Sequence, residues 1–476
     1  MEIRPTTDQD FDVFVDTLHA AFGRFPETPT NGGGVWWAAL EIDRGLLALT
    51  ADGRPVGTAG AYSFELTLPG ETVVPAAGVS VVGVLPSHRR QGVLSAMMRH
   101  QLTELRSRGE FLSVLLASEA VIYRRFGYGP ATYTQRLTVP RHRAALAVPR
   151  ASGPADTSAA GPSTDSDTGS GSDTGSGSDA GSGSDAGSGS GSDTGSGSDA
   201  GSGSDAGSGS DTGSGSDTGS GSDTGSGSDT GSVELLRRAE CGELLEEVYD
   251  RYRRAQPGAL SRPHRWWTQG AGQPPVSPAP RYVAVHRDTD GVPDGYASYS
   301  LGENNTLTVD ETIATDDAVF TALARFVLGH DLVSQVVFKH VPPGHPLRWQ
   351  LADFRAGQVS EDTDWLWVRL LDIPRALTAR GWFTDGELVL DVDDPFLGEH
   401  GRYLLTVRDG KADCAPTDRA PDLSLDVTDL GSIYLGGTAP STLVRAGHIR
   451  SHHPAAAPLA DALFRADRAP HCLHWF

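Results

Sequence analysis

The stretch Val79 to Met98, VSVVGVLPSHRRQGVLSAMM, carries residue types in an order that suits anion binding. Val79 to Leu85 are mostly β-branched or apolar, which predicts a strand covered on both faces, and Pro86 ends it. Arg89, Arg90 and Gln91 then lead to Gly92, where a missing side chain lets a ligand approach the backbone. Val93 to Gln101 continues with helix-compatible residues, so the first N–H groups of that helix point at whatever sits on the turn. A phosphate is the expected guest. The plainer alternative is a crossover in which Gly92 relieves a tight turn and both arginines are solvated.

The order strand, basic turn, glycine, helix resembles the acyl-coenzyme A pyrophosphate loop of GNAT acetyltransferases. That loop reads Arg or Gln, two residues, Gly, one residue, then Gly or Ala; Arg89 and Gly92 fit it and Leu94 departs. A second stretch, SEAVIYRRFGYGPAT from Ser118 to Thr132, resembles the other GNAT signature through Tyr123, Gly127 and Tyr128. The likeness narrows when RWW at Arg265, DWLWVRLLDIPRAL at Asp364, LGSIYLGG at Leu430 and the aromatic C-terminus are added. Together these resemble the Eis (enhanced intracellular survival) family over nearly the whole chain.

The resemblance implies an α/β (α+β) chain: a catalytic GNAT domain, a second GNAT-like mixed-sheet domain without cofactor, and a sterol-carrier-like C-terminal domain, assembled as homohexamers. It implies an acetyl-CoA-dependent N-acetyltransferase acting on primary amines of aminoglycoside, polyamine or lysine type. Tyr123 would protonate the leaving thiolate, and the terminal carboxylate of Phe476 would be the general base. The cofactor would meet Val82, Gly83 and Val84 on the strand, Arg90, Gln91, Gly92, Val93, Leu94 and Ser95 on the turn, and Ser118 and Glu119 beyond it. Arg89 and Arg90 are placed to reach phosphate oxygens. Phe25, Trp36, Trp37 and Phe64 are candidates to line an amine pocket, with Glu27, Glu41 or Glu119 attracting a cation, and membership of the core is the equal alternative for these aromatics. The competing reading is a non-catalytic scaffold that binds acyl-CoA or lipid.

Patterning along the chain supplies the elements that must hold these residues. Residues 1–150 read as an α/β domain with strands at Glu2 to Pro5, Gly45 to Ala51, Pro55 to Leu68, Val79 to Leu85, Phe111 to Ala117 and Thr132 to Val139, and helices at Phe11 to Phe22, from Gly92, and around Tyr123. Residues 151–232 are an Asp/Gly/Ser-rich tract that cannot bury enough apolar surface to order itself, and is expected to be a disordered linker. A second domain follows at 233–367, beginning with helical spacing over Leu235 to Ala255. A third, 368–476, holds strands, a strand running into a helix after Pro421, and a last helix near Ala455 to Arg465.

The net charge of −22 is misleading, because thirteen of the acidic residues lie in the tract between Asp156 and Asp229, leaving −9 elsewhere. No basic face accumulates, which argues against a nucleic-acid partner. Cys241, Cys414 and Cys472 are widely spaced and suggest neither a disulfide framework nor a metal site. No run of eighteen apolar residues and no apolar leader is present, so the expectation is a cytoplasmic protein without a membrane partner.

Overall fold

The computed structural model describes residues 1–23, 39–147, 231–267 and 282–476. The Asp/Gly/Ser-rich tract lies outside them, as do Phe25, Glu27, Trp36 and Trp37. The elements described all belong to one unit formed by Met1–Val148 and Gly227–Phe476.

The chain begins with β1 (Glu2–Pro5), α1 (Phe11–Ala21), β2 (Leu46–Leu49), β3 (Pro55–Thr67), β4 (Val73–Val84), α2 (Val93–Ser107), β5 (Leu112–Leu116), α3 (Ala120–Arg124), β6 (Gly129–Pro130) and β7 (Tyr133–Pro140). After the tract come β8 (Ser232–Arg237), α4 (Leu244–Ala255), α5 (His264–Trp267), β9 (Tyr282–Arg287), β10 (Pro293–Leu301), β11 (Thr306–Ala314), α6 (Asp317–Leu328), β12 (Gln335–Val341), α7 (Leu347–Gln350), β13 (Gln358–Asp364) and β14 (Leu366–Leu370). The last third contributes α8 (Ile373–Ala379), β15 (Gly386–Asp394), β16 (Glu399–Arg408), β17 (Lys411–Pro416), β18 (Leu423–Asp426), α9 (Val427–Tyr434), α10 (Pro440–Arg445), β19 (Arg450–Ser451) and α11 (Ala456–Phe464).

Three mixed sheets result, in the orders β1-β2-β3-β4-β5-β14-β6, β13-β7-β12-β11-β10-β9-β8 and β17-β16-β15-β18-β19. The first two exchange strands. β7, grouped by sequence with the first domain, pairs with β12 and β13 in the second sheet, and β14 returns to lie between β5 and β6 in the first. All five residues of β14 are buried, so it belongs in a sheet interior, and the wedge beside β5 supplies one. The 367/368 boundary expected from sequence therefore cuts through a central strand.

The helical spacing over Leu235 to Ala255 is overridden at its start. Ser232 to Arg237 pair instead with β9 as an edge strand, Gly242 turns the chain at φ +53°, and the helix begins at Leu244. An available sheet edge outweighs a weak helical preference. The third domain has no core of its own: Leu388, Leu390, Ile433 and Phe464 join Phe64, Leu366, Val368 and Phe476 in one apolar cluster beneath the first sheet. No helix among the described residues is long and apolar enough to cross a membrane.

Candidate functional site

β4 and β5 run parallel but pair only at Ala77 with Ser113 and at Gly78 with Val114. Beyond that apex they separate. β4 holds to β3 on its other side through Val84, with a register shift between Thr58 and Gly60. Val81 takes a left-handed φ of +50°, and its carbonyl accepts from Thr58 Oγ1 at 2.9 Å. Ser80, Val81 and Val82 are consequently half-buried, so the expectation of a strand covered on both faces fails at this end. Among the described residues, no strand pairs with the β5-facing backbone of β4 beyond Gly78. At the apex Ser113 Oγ donates to the Ala77 carbonyl at 3.3 Å and lies 2.7 Å from the Tyr128 hydroxyl.

The turn after β4 is built by an unusual pair of left-handed residues, Arg90 at φ +63° and Gly92 at φ +82°. Such a sequence curls successive N–H groups toward a common point. Gly92 is the N-cap of α2 and offers no side chain, so no side chain caps the first amides of this fifteen-residue helix. Arg89 lines the cleft beside this turn and directs two of its donors to backbone carbonyls. Its Nη2 donates to the Ala21 carbonyl at the end of α1 (2.8 Å) and its Nε to the Val84 carbonyl (3.3 Å), tying α1 to β4. The Gln91 side chain folds back onto the Ser87 carbonyl at 3.1 Å.

One cleft of about 930 Å³ gathers the backbone at Val82, Gly83 and Val84, the turn at Arg90, Gly92, Val93, Leu94 and Ser95, and Ser118, Glu119 and Tyr123. Every residue expected to meet the cofactor is there except Gln91. His88, Ile122 and Arg125 line it as well, and the sequence pattern does not single them out; the adjacency of Ile122 to Tyr123 is the one signal that points to any of them. Tyr123 is 9% exposed. Burial raises its pKa, against a smaller opposing effect from a hydrogen bond with Ser118. Its ring meets Tyr128 edge-on at 6.4 Å.

Phe476 closes the other face of the same apex. It is 6% exposed, packs on Phe64 at 4.9 Å and Tyr62 at 6.3 Å, and lies against Gly78, where any side chain would strike the Phe64 and Phe476 rings. Alternate β4 residues point to opposite faces. Ala77 and Val79 pack in the cluster that contains Tyr123, whereas Gly78 abuts Phe476, so the two candidates approach the apex from opposite sides. The terminal segment is held there by His471 N–H on the Pro257 carbonyl (2.8 Å), Gln256 Nε2 on the Ala469 carbonyl (2.9 Å), and His474 against Trp266 at 4.8 Å.

Phe64 packs beneath Phe476 and also borders a second cavity of about 430 Å³, where Arg253 binds both Glu65 and Asp250. Glu41 accepts from the Ser63 N–H and hydroxyl and pairs with Arg265, so its charge is already engaged. Glu119 is exposed at the head of α3 and lines the main cleft. The second sheet contrasts with the first. There the Asp316 carboxylate caps the corresponding helix, α6, by accepting from Ala318 and Val319 N–H at 2.8 and 2.9 Å, and an Asp310–Lys339 ion pair at 2.5 Å spans β11 and β12.

Residues 2–131 and 258–370 match two acetyltransferase (GNAT) domain families, and 373–473 match a sterol carrier protein domain. An uncharacterized N-acetyltransferase of Streptomyces griseus is 32% identical over 92% of this chain and 90% of its own. N-acetyltransferase Eis of Mycobacterium tuberculosis is 31% identical, covering 97% of this chain and 96% of its own. Among solved structures, Eis1 from Mycobacterium abscessus superposes over both full chains with a TM-score of 0.75 at 29% identity. A GCN5-related N-acetyltransferase from Anabaena variabilis shares the fold at 16% identity and a TM-score of 0.72. With an uncapped helix at a parted pair of strands in one sheet, a plugged counterpart in the next, and relatives alike from end to end, the chain belongs to the Eis family of GNAT N-acetyltransferases.

Proposed function

We propose that this enzyme transfers an acetyl group from acetyl-CoA directly to a primary amine of aminoglycoside, polyamine or lysine type. The parting of β4 and β5 beside an uncapped α2 carries the reading, because it leaves a strand edge and a helix N-terminus free along one cleft. Pyrophosphate suits the Arg90 to Ser95 turn, where unpaired N–H groups and the positive end of the helix dipole coincide. The pantetheine amides suit the open backbone at Val82 to Val84. The thioester carbon then lies near the apex, and the amine reaches it from the Phe476 side. As nitrogen bonds to that carbon, its proton passes to the Phe476 carboxylate, directly or through water. The carbon–sulfur bond breaks and Tyr123 supplies the proton to sulfur. Both substrates must be bound together, since no nucleophile is assigned to hold the acyl group.

Plugging of α6 by Asp316 supports a single cofactor site, on the first sheet. By extension from the family, we also assign this chain a cytoplasmic homohexamer, which light scattering tests. The decisive experiment is a turnover screen with acetyl-CoA against aminoglycosides, polyamines and lysine peptides, using the native C-terminus. Turnover of at least one amine class is expected. Tight acetyl-CoA binding with no turnover of any amine would instead favour a scaffold.

A further inference from the structure

α3, which carries Tyr123, is five residues long and has no side-chain N-cap. A helix that short has no stability of its own, so the direction of the Tyr123 side chain is set by whatever grips the segment. The Tyr123 ring packs mainly among residues of the first domain, and a second part of the grip, on the residues that follow it, comes from the C-terminal third. Thr428 Oγ1 donates to the Arg124 carbonyl at 3.3 Å. Arg124 Nη2 donates to Asp429 Oδ1 at 3.0 Å and to His448 Nδ1 at 2.5 Å. Asp429 is 3% exposed, and it sits in the first turn of α9, a helix buried along its whole length and capped by Asp426.

The other end of the segment is held as firmly. Fully buried Arg369, on β14, donates Nη1 to the Phe126 carbonyl at 2.5 Å and pairs through Nη2 with Asp394 at the end of β15. Gly127 turns the chain there at φ +79°, and a side chain on it would collide with the Arg369 guanidinium. Anchors therefore lie one residue after Tyr123 and three residues after it, and both lead to the third domain. That domain also shares its apolar core with the first sheet, so the grip is transmitted by rigid packing.

We propose that the sterol-carrier-like domain takes part in acetyl transfer by positioning the Tyr123 hydroxyl, with Asp429 acting through Arg124 and Asp394 acting through Arg369. This rests on the reading of Tyr123 as the proton donor. None of the four residues touches the reacting atoms; all are positioning residues. An ångström of misplacement of a catalytic group costs on the order of a hundredfold in rate, which makes the arrangement worth holding from two sides.

The test is a double-mutant cycle in the full-length protein, with acetyl-CoA and kanamycin A as the substrates. Asp429→Asn is expected to lower kcat about tenfold while KM for acetyl-CoA changes by less than about twofold. Combined with Tyr123→Phe, it is expected to add no further loss, because the group it positions is already gone. Thr428→Val, which removes only the hydrogen bond to the Arg124 carbonyl, serves if the buried amide perturbs folding, and should show the same pattern more weakly. Asp429→Asn and Thr428→Val both at the parental kcat, in a background where Tyr123→Phe is impaired, would overturn the positioning role alone. A full additional loss in the Tyr123→Phe background would do the same, since it would mark a general structural effect. Parental kcat in Tyr123→Phe itself would overturn the donor reading and this proposal with it.

Discussion

Burial raises the Tyr123 pKa. The same dry surroundings would raise the basicity of a thiolate leaving beside it, so the proposed donor and its acceptor would stay matched. A raised value keeps the phenol protonated through neutral pH, and only alkaline conditions remove its proton. Tyr123→Phe is expected to lower kcat by about 10²- to 10³-fold with little change in KM for acetyl-CoA, and to abolish an alkaline limb in the kcat profile lying above about pH 10. An unchanged steady-state profile would remove Tyr123 from the chemistry. Phe476 makes a complementary demand at the chain end. Its ring fills space between Phe64, Tyr62 and Gly78, a burial of about 1.5–3 kcal/mol. A short Gly-Ser extension after Phe476 converts the terminal carboxylate to an amide and should abolish turnover while acetyl-CoA still binds by calorimetry. Full activity of the extended chain would exclude the carboxylate as base.

α2 and α6 differ in whether the first amides of the helix are already occupied by a side chain. α2 begins at a left-handed glycine with its amides uncapped, whereas α6 begins at an aspartate that occupies them. A carboxylate introduced beside the α2 amides should therefore act against a pyrophosphate. Ser95→Glu is expected to raise KM for acetyl-CoA about tenfold or more at low ionic strength, with a smaller effect in high salt and no loss of thermal stability. A KM that does not respond would place the anion elsewhere. The motif is readable because its parts are contiguous: Arg90, Gly92 and Ser95 lie within one turn. Arg89 lines the same cleft, and what the contiguous motif does not reveal is that two of its donors meet carbonyls at Ala21 and Val84, contributed by two other elements. The start of α4 departs from the expected helix because Leu235 and Leu236 pair with Ala284 and Val283, 49 and 47 residues away in sequence.

In the molecule as a whole the terminal segment is seated by histidines that must stay neutral. His471 and His474 are buried, and desolvation lowers both pKa values, His471 to about 3 and His474 well below the ordinary range. His340 and His345, whose charges would repel one on His471, are lowered by burial to about 4. Folded values below the unfolded one mean that the unfolded chain takes up protons the native chain refuses as pH drops through about 6.5. This contribution to stability is complete above about pH 6.5, declines as the pH falls toward 4, and levels off once the folded groups also protonate. Urea midpoints should accordingly fall steadily between pH 7 and pH 4.5. A flat response over that range would contradict neutral burial of these four rings.

Local chemistry is legible in the order of the residues alone. The glycine turn from Arg90 to Ser95 and the tyrosine following β5 depend on residues close in sequence, and short-range order fixes their backbone geometry. An aromatic end at Phe476 also signals burial, because consecutive Trp and Phe are poorly suited to a solvated tail. The exchange of β7 and β14 between sheets is not legible there, nor are the bonds of Thr428 and Asp429 to Arg124 and of Asp394 to Arg369. Those features depend on which buried edge or unpaired charge lies nearest in space across as many as 305 residues of chain, as Arg124 and Asp429 do. Side-chain pattern reports which face a strand buries, but the partner that covers it is settled by packing the whole chain at once.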